Sequence, residues 1–249
     1  MVEFLIILKL TNNKALSISR ISLSDVASSI KPRFALRLLR PTLPIIGGEF
    51  IWSTGIFSYF VIYGRMGTSE LASMSLLESL EGLFIQFFLG LGTASSVLLG
   101  NDLGAGRKEE AYEKSKAFLI LVPFLGLVAG TLMTMCASPL LALYENLDAE
   151  TRRMSIELFM IMGAALFIKI FNMMSMFGIL RSGGDTRYMM FIDIVCMWGI
   201  GVPMAVFAAL FLDLPLHWVY IFVLSEELIK AIWSFNRIQS RKWLRSLVD

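Results

Sequence analysis

The sequence predicts an all-α integral membrane protein, a bundle of six transmembrane helices, and three observations carry that prediction. Hydrophobic residues make up 56% of the 249 positions against 17% charged, and the mean hydropathy of +0.70 lies well above the balance of a water-soluble domain. Six long apolar segments recur along the chain, near residues 42–63, 71–99, 117–143, 155–180, 188–212 and 216–235. Each matches the ~20 residues that a helix needs to cross ~30 Å of hydrocarbon, where a lone segment satisfies its backbone only by coiling on itself. The lysines and arginines are also asymmetric about these segments. With the N-terminal stretch on the cytoplasmic side, 17 of the 22 fall on that side and only Arg65, Arg152 and Arg153 on the other, which makes both termini cytoplasmic.

Taken in order, the leading "MVEFLIILKL" is apolar but too short to span, and it lacks the basic start and small-residue cleavage site of a signal peptide. It reads as the end of a helix whose beginning is missing, followed to residue 40 by a polar, serine-rich and basic cytoplasmic linker. Residues 41–240 then form the transmembrane bundle and 241–249 a cytoplasmic tail. The first span carries Gly47, Gly48 and Gly55, the second Gly90 and Gly92, and the third Gly126 and Gly130, small residues that let helix backbones approach closely. Pro203 in the fifth span removes a backbone donor and marks a bending point.

Composition narrows the function. A net charge of +2 gives no footprint for nucleic acid. Cys136 and Cys196 sit in separate apolar runs, as buried small hydrophobes rather than a disulfide or redox pair. The single histidine, His217, has no partner at metal-ligand spacing, and no nucleophile arrangement stands out, so neither a metal, a cofactor nor an enzyme is expected.

Ionisable residues within spans cost at least ~2.5–3.5 kcal/mol each and need a reason. Here they are Glu49, Glu78, Glu81, Lys169, Asp193 and the group Glu226, Glu227 and Lys230. In "PIIGGEFIWSTG", Glu49 sits near the middle of its span, where burial disfavours the charged form and proton exchange becomes accessible, as a proton-coupled carrier requires. Asn172 and Ser175 follow Lys169 at i+3 and i+6, a polar stripe that either lines a cavity or holds helices together through an ion pair with Glu49, Glu78 or Glu81. Glu226 and Lys230 have the i, i+4 spacing of a local salt bridge. Methionines concentrate around the fourth span, including Met173, Met174 and Met176, and suit either core filler or a surface for varied apolar ligands.

Two loops are more specific. The second span ends in "GNDLGAGRKEEAYEKSKAF" and the fourth in "GILRSGGDTRYMMF". Together with "LPIIGGEFIW" at the first span, they resemble the multidrug and toxic compound extrusion (MATE) family over roughly residues 1–240, and specifically the C-terminal of its two six-helix lobes in a twelve-helix transporter. The resemblance implies a multi-pass plasma-membrane antiporter that exports cationic or amphiphilic organic compounds against entering protons or sodium ions, with the gradient in place of a cofactor. Glu49 matches the acidic residue that the family carries in the first helix of this lobe, whereas Lys169 and Asn172 stand where a second acidic residue is often found. Ion coupling or substrate binding is therefore expected at Glu49, Lys169, Asn172, Asp193 and Glu81. Half the family's length leaves three readings: a truncated or split product, a half that pairs with a separate N-terminal lobe, or a homodimer. A flippase for lipid-linked saccharides and an inactive remnant or subunit are the alternatives in function. In the loop "RSGGDTR", Gly183 and Gly184 are expected to end one helix, Asp185 to cap the next, and Arg181 and Arg187 to sit at headgroup depth.

Overall fold

The computed structural model describes residues 32–144 and 147–245, so most of the linker expected over residues 1–40 lies outside the described residues. All regular structure among the described residues is helical, in six consecutive helices. They are α1 (Pro32–Met66), α2 (Thr68–Gly104), α3 (Lys108–Leu141), α4 (Ala149–Met173, continued by a π-helical stretch Met174–Leu180), α5 (Thr186–Cys196, extended to Phe211) and α6 (Leu216–Gln239). Four of them, α2 to α5 with their extensions, are long and apolar enough to cross a membrane. Helix α6 carries Glu226, Glu227 and Lys230 along its length. Helix α1 begins at Pro32, so the helical backbone starts well before its apolar segment.

The chain divides into two compact units, residues 1–50 and 51–249. In the first, the described part is the N-terminal portion of α1, and the Glu49 side chain is exposed. The second holds the rest of α1 and the other five helices. Its large apolar residues face outward as well as inward: Leu83 and Phe87 on α2, Ile120, Phe124 and Met135 on α3, and Phe211 on α5 are all exposed. Meanwhile Ser73, Ser95, Ser115, Thr151 and Ser155 are buried. A water-soluble fold would hide those large side chains; a chain solvated by lipid has no need to, and uses small residues to bring its helices together.

The α3–α4 interface shows this directly. A Cβ placed on Gly130 would overlap the carbonyl oxygen of Gly163, so the two backbones touch at a point where only glycine fits. Cys196 is buried as expected, but Cys136 is exposed, because the outer face of α3 accepts apolar side chains that a soluble helix would turn inward. Pro203 stands in a five-residue α-helical stretch, Val202–Val206, with π-helical turns at Met197–Gly201 and Phe207–Phe211 on either side. Widened turns accommodate the missing donor of proline, and such turns recur at functional positions.

Candidate functional site

In the second unit a cavity of about 450 Å³ is lined by residues of five helices. Helical spacing puts the charges on its wall. Glu78 and Glu81 stand three residues apart on α2, and Lys169 and Asn172 three apart on α4, so each pair shares one helix face. Asp193 comes from α5, and Glu226, Glu227 and Lys230 from α6. Trp52, Ile56, Tyr59, Met173, Met176, Phe177 and Met197 supply an apolar, aromatic and thioether surround.

The Lys169 ammonium donates to Glu81 Oε1 at 2.6 Å, which makes Glu81 the partner among the three carboxylates that sequence left open. Lys230 is shared more widely: its Nζ lies 3.4 Å from Asp193 Oδ1, 3.6 Å from Glu226 Oε1 and 3.6 Å from Glu227 Oε1. The local Glu226–Lys230 pair is thus present, as part of a larger cluster. Asn172 Nδ2 donates to the Glu227 backbone carbonyl at 2.8 Å and to Glu227 Oε2 at 2.7 Å. Tyr59 donates its hydroxyl proton to Glu226 Oε2 at 2.8 Å. That bond passes over Gly201 in the first π-turn of α5, where a Cβ would overlap both oxygens. The wall carries five carboxylates against two ammonium groups. With every group ionised its charge is negative, and such a cavity attracts cations of moderate size with an apolar body.

Of the residues expected to act, Lys169, Asn172, Asp193 and Glu81 meet on this wall. Glu49 belongs to the first unit, where it is exposed. Glu78, Glu226, Glu227, Lys230 and Tyr59 join the site as well. The first four were visible as in-span charges, but nothing in sequence showed that they converge, and Tyr59 carried no signal beyond being a tyrosine. Among the described residues, no group of three or more His, Cys, Asp or Glu is arranged to hold a metal ion.

The two signature loops are each built around a buried aspartate that is not on this wall. Asp102 of "GNDLGAGR" is buried and accepts from Arg107 at 2.6 Å and Lys114 at 2.5 Å. Asp185 of "RSGGDTR" receives both Nε and Nη2 of Arg237, at 2.6 and 3.0 Å, while the guanidinium lies over the Tyr188 ring. Beside Asp185, Arg237 is held above its ordinary pKa, chiefly by that hydrogen bond. Asp185 does precede helix α5, but its side chain does not cap it: the carboxylate is taken by Arg237, 52 residues away. Gly184 has the expected left-handed backbone at φ 71°. Gly183 serves close packing instead, since a Cβ there would overlap the backbone carbonyl of the fully buried Trp243. Arg181 and Arg187 are exposed.

The MatE family model matches residues 44–207, about two thirds of the chain. The chain is 24% identical over 217 residues to the uncharacterized transporter YisQ of Bacillus subtilis, covering 84% of this chain and 46% of that protein. It is 28% identical over 160 residues to a probable multidrug resistance protein NorM of Brucella suis, covering 62% and 34%. The chain therefore spans less than half the length of these two relatives. Among solved structures, a MATE protein in a straight conformation superposes with a TM-score of 0.77 at 19% identity, over 97% of this chain and 54% of that one. A MOP superfamily transporter from Pyrococcus furiosus, described as having a binding pocket of reverse polarity, gives 0.74 at 20% identity, over 84% and 46%. The all-helical fold and the family match agree with the resemblance carried by the two loops, and the chain belongs to the MatE family of membrane transporters.

Proposed function

We propose that this chain is the C-terminal six-span lobe of a MATE-type antiporter in the plasma membrane, with both termini cytoplasmic, exporting cationic or amphiphilic organic compounds in exchange for protons or sodium ions. The observation that carries the reading is the cavity: five carboxylates and two lysines set in aromatic and methionine walls, all within helices of a membrane protein. Charges this costly to insert are retained where they bind or relay ions. The acidic balance also suits a cationic cargo better than the phosphates of a lipid-linked saccharide, and no arginine stands on the wall among the described residues. Glu49, matching the family's carboxylate in this helix, is proposed as a coupling residue.

Alternating access requires two bundles moving about a shared site, so the second is supplied by an N-terminal lobe or by another copy of this chain. Expression in an efflux-deficient bacterium, with and without an N-terminal lobe from a relative, tests the reading. Restored resistance to ethidium is expected in at least one arm and its loss in Glu49→Gln; unchanged sensitivity in both arms overturns it.

A further inference from the structure

At the end of the bundle opposite the two signature loops, a second groove of about 400 Å³ lies between the α1–α2 turn and the α5–α6 turn. Its charges are Arg65 from α1, Glu70 from α2 and Asp213 from the α5–α6 turn. Among the described residues, none of their side chains forms an ion pair or a hydrogen bond. Local structure fixes where they stand. A Cβ on Gly67 would overlap Glu70 Oε2, so that carboxylate folds back over the bare backbone of the α1–α2 turn. Asp213 takes the left-handed conformation, φ 50°, at the tip of its turn. The Leu212 N–H donates to the Phe207 carbonyl at 3.1 Å and the Leu214 N–H to that of Ala208 at 3.0 Å, which pins the turn on either side of it.

We propose that this groove binds the headgroup of a phospholipid carrying both a phosphate and a primary ammonium, the phosphatidylethanolamine class, with Arg65 on the phosphate and Glu70 and Asp213 on the ammonium. Depth favours a lipid over a soluble zwitterion. Arg65, Glu70 and Asp213 lie one or two residues outside the apolar segments 42–63, 71–99 and 188–212, where the headgroup layer begins. Apolar tracks lead to the groove from the hydrocarbon side. Phe57 and Val61 precede Arg65 at four-residue steps on one face of α1, and both are exposed. On α5, Leu210 reaches the groove and the next residue, Phe211, stacks on Phe207 at 6.2 Å, both rings exposed. Acyl chains can lie along both tracks. Charge then separates the headgroups. Two carboxylates against one guanidinium disfavour a lipid whose only charge is its phosphate, such as phosphatidylglycerol. Phosphatidylcholine has the matching charges, but its trimethylammonium offers no N–H to either carboxylate, whereas a primary ammonium has three donors. The site requires only that the chain lies in a bilayer, not that it transports.

Native mass spectrometry of the full chain in detergent, titrated with phosphatidylethanolamine, phosphatidylcholine and phosphatidylglycerol of identical acyl chains, measures the preference without any transport assay. Phosphatidylethanolamine is expected to bind about tenfold more tightly than either of the others, the worth of one charge-assisted hydrogen bond. The double variant Glu70→Gln/Asp213→Asn should bring it down to the level of phosphatidylcholine and leave phosphatidylglycerol no weaker. Arg65→Gln should weaken all three lipids. Equal binding of the three lipids by the wild-type chain, or tightest binding of phosphatidylglycerol, would overturn the proposal, and neither result depends on a variant folding. An undiminished preference in the double variant would overturn it as well. Glycerophosphoethanolamine, the same headgroup without acyl chains, should fail to displace the lipid even in large excess; displacement as effective as that by the intact lipid would reassign the groove to a soluble zwitterion. Helical circular dichroism and monodisperse elution of each variant separate loss of the site from loss of the fold.

Discussion

The cavity and the two signature loops are both built from ion pairs, and around Lys230 the cavity uses them in the opposite way. At the loops each carboxylate is gripped at short range by oriented partners: Asp102 by Arg107 and Lys114, and Asp185 by both nitrogens of one guanidinium. In the cavity a single ammonium, Lys230, lies 3.4–3.6 Å from three carboxylates at once and saturates none of them. A bidentate pair fixes geometry. A charge shared among several partners can shift between them. Holding the loops and leaving the cavity adjustable are thus two uses of one interaction, separated by how many partners each charge has.

The largest effect should come from the shared cation. Lys230→Met leaves Asp193, Glu226 and Glu227 without their common partner, and removing one side of a buried charge pair costs about 3–5 kcal/mol. Thermal unfolding in detergent, followed by Trp fluorescence, checks this, and a loss no greater than that of an exposed i, i+4 pair would erase the distinction between the regions. Next comes Gly183→Val, whose added carbons overlap the Trp243 backbone and should displace the segment after α6 at a cost of about 1–3 kcal/mol. Limited proteolysis near residue 240 should then accelerate, while the ethidium resistance conferred together with an N-terminal lobe stays at the wild-type level. Coupled loss of both would show that the clamp and the cavity are one unit.

The smallest effect belongs to the opposite end of the bundle. Asp148 precedes α4 and accepts from Thr151 N at 3.0 Å, the arrangement of an N-cap. Hydrogen bonds from the Thr151 side chain and backbone hold its carboxyl below the ordinary value. A depressed folded-state value means that the group stabilises above its unfolded pKa of ~3.9 and loses that contribution as pH falls through the folded value. Asp148→Ala should therefore lower the melting temperature slightly at pH 7, and the difference from wild type should shrink toward pH 3. A difference independent of pH would remove the charge from the capping role.

Much of this was readable in advance. The apolar segments anticipated the six helices, since nothing but length and hydropathy is needed to make a lipid-embedded segment helical. Their ends were less legible: α1 runs from Pro32 and α2 to Gly104, because helix propensity continues past the point where hydrophobicity stops. Asp185 was misread as a cap for a related reason. Local sequence offers an aspartate at the start of a helix its nearest backbone donors, and only the fold brings Arg237 within reach.

Sequence by itself determined which solvent this chain lives in, where its helices run and, through two loops, its family. Those are properties of composition and of residues a few positions apart. Tertiary structure decided that Lys169 pairs with Glu81, 88 residues away, that Lys230 is shared among three carboxylates, and that the Asn172 amide oxygen is left without a hydrogen-bond partner among the described residues. Whether a buried polar group is satisfied depends on what the other helices present to it, and that is fixed only when they pack.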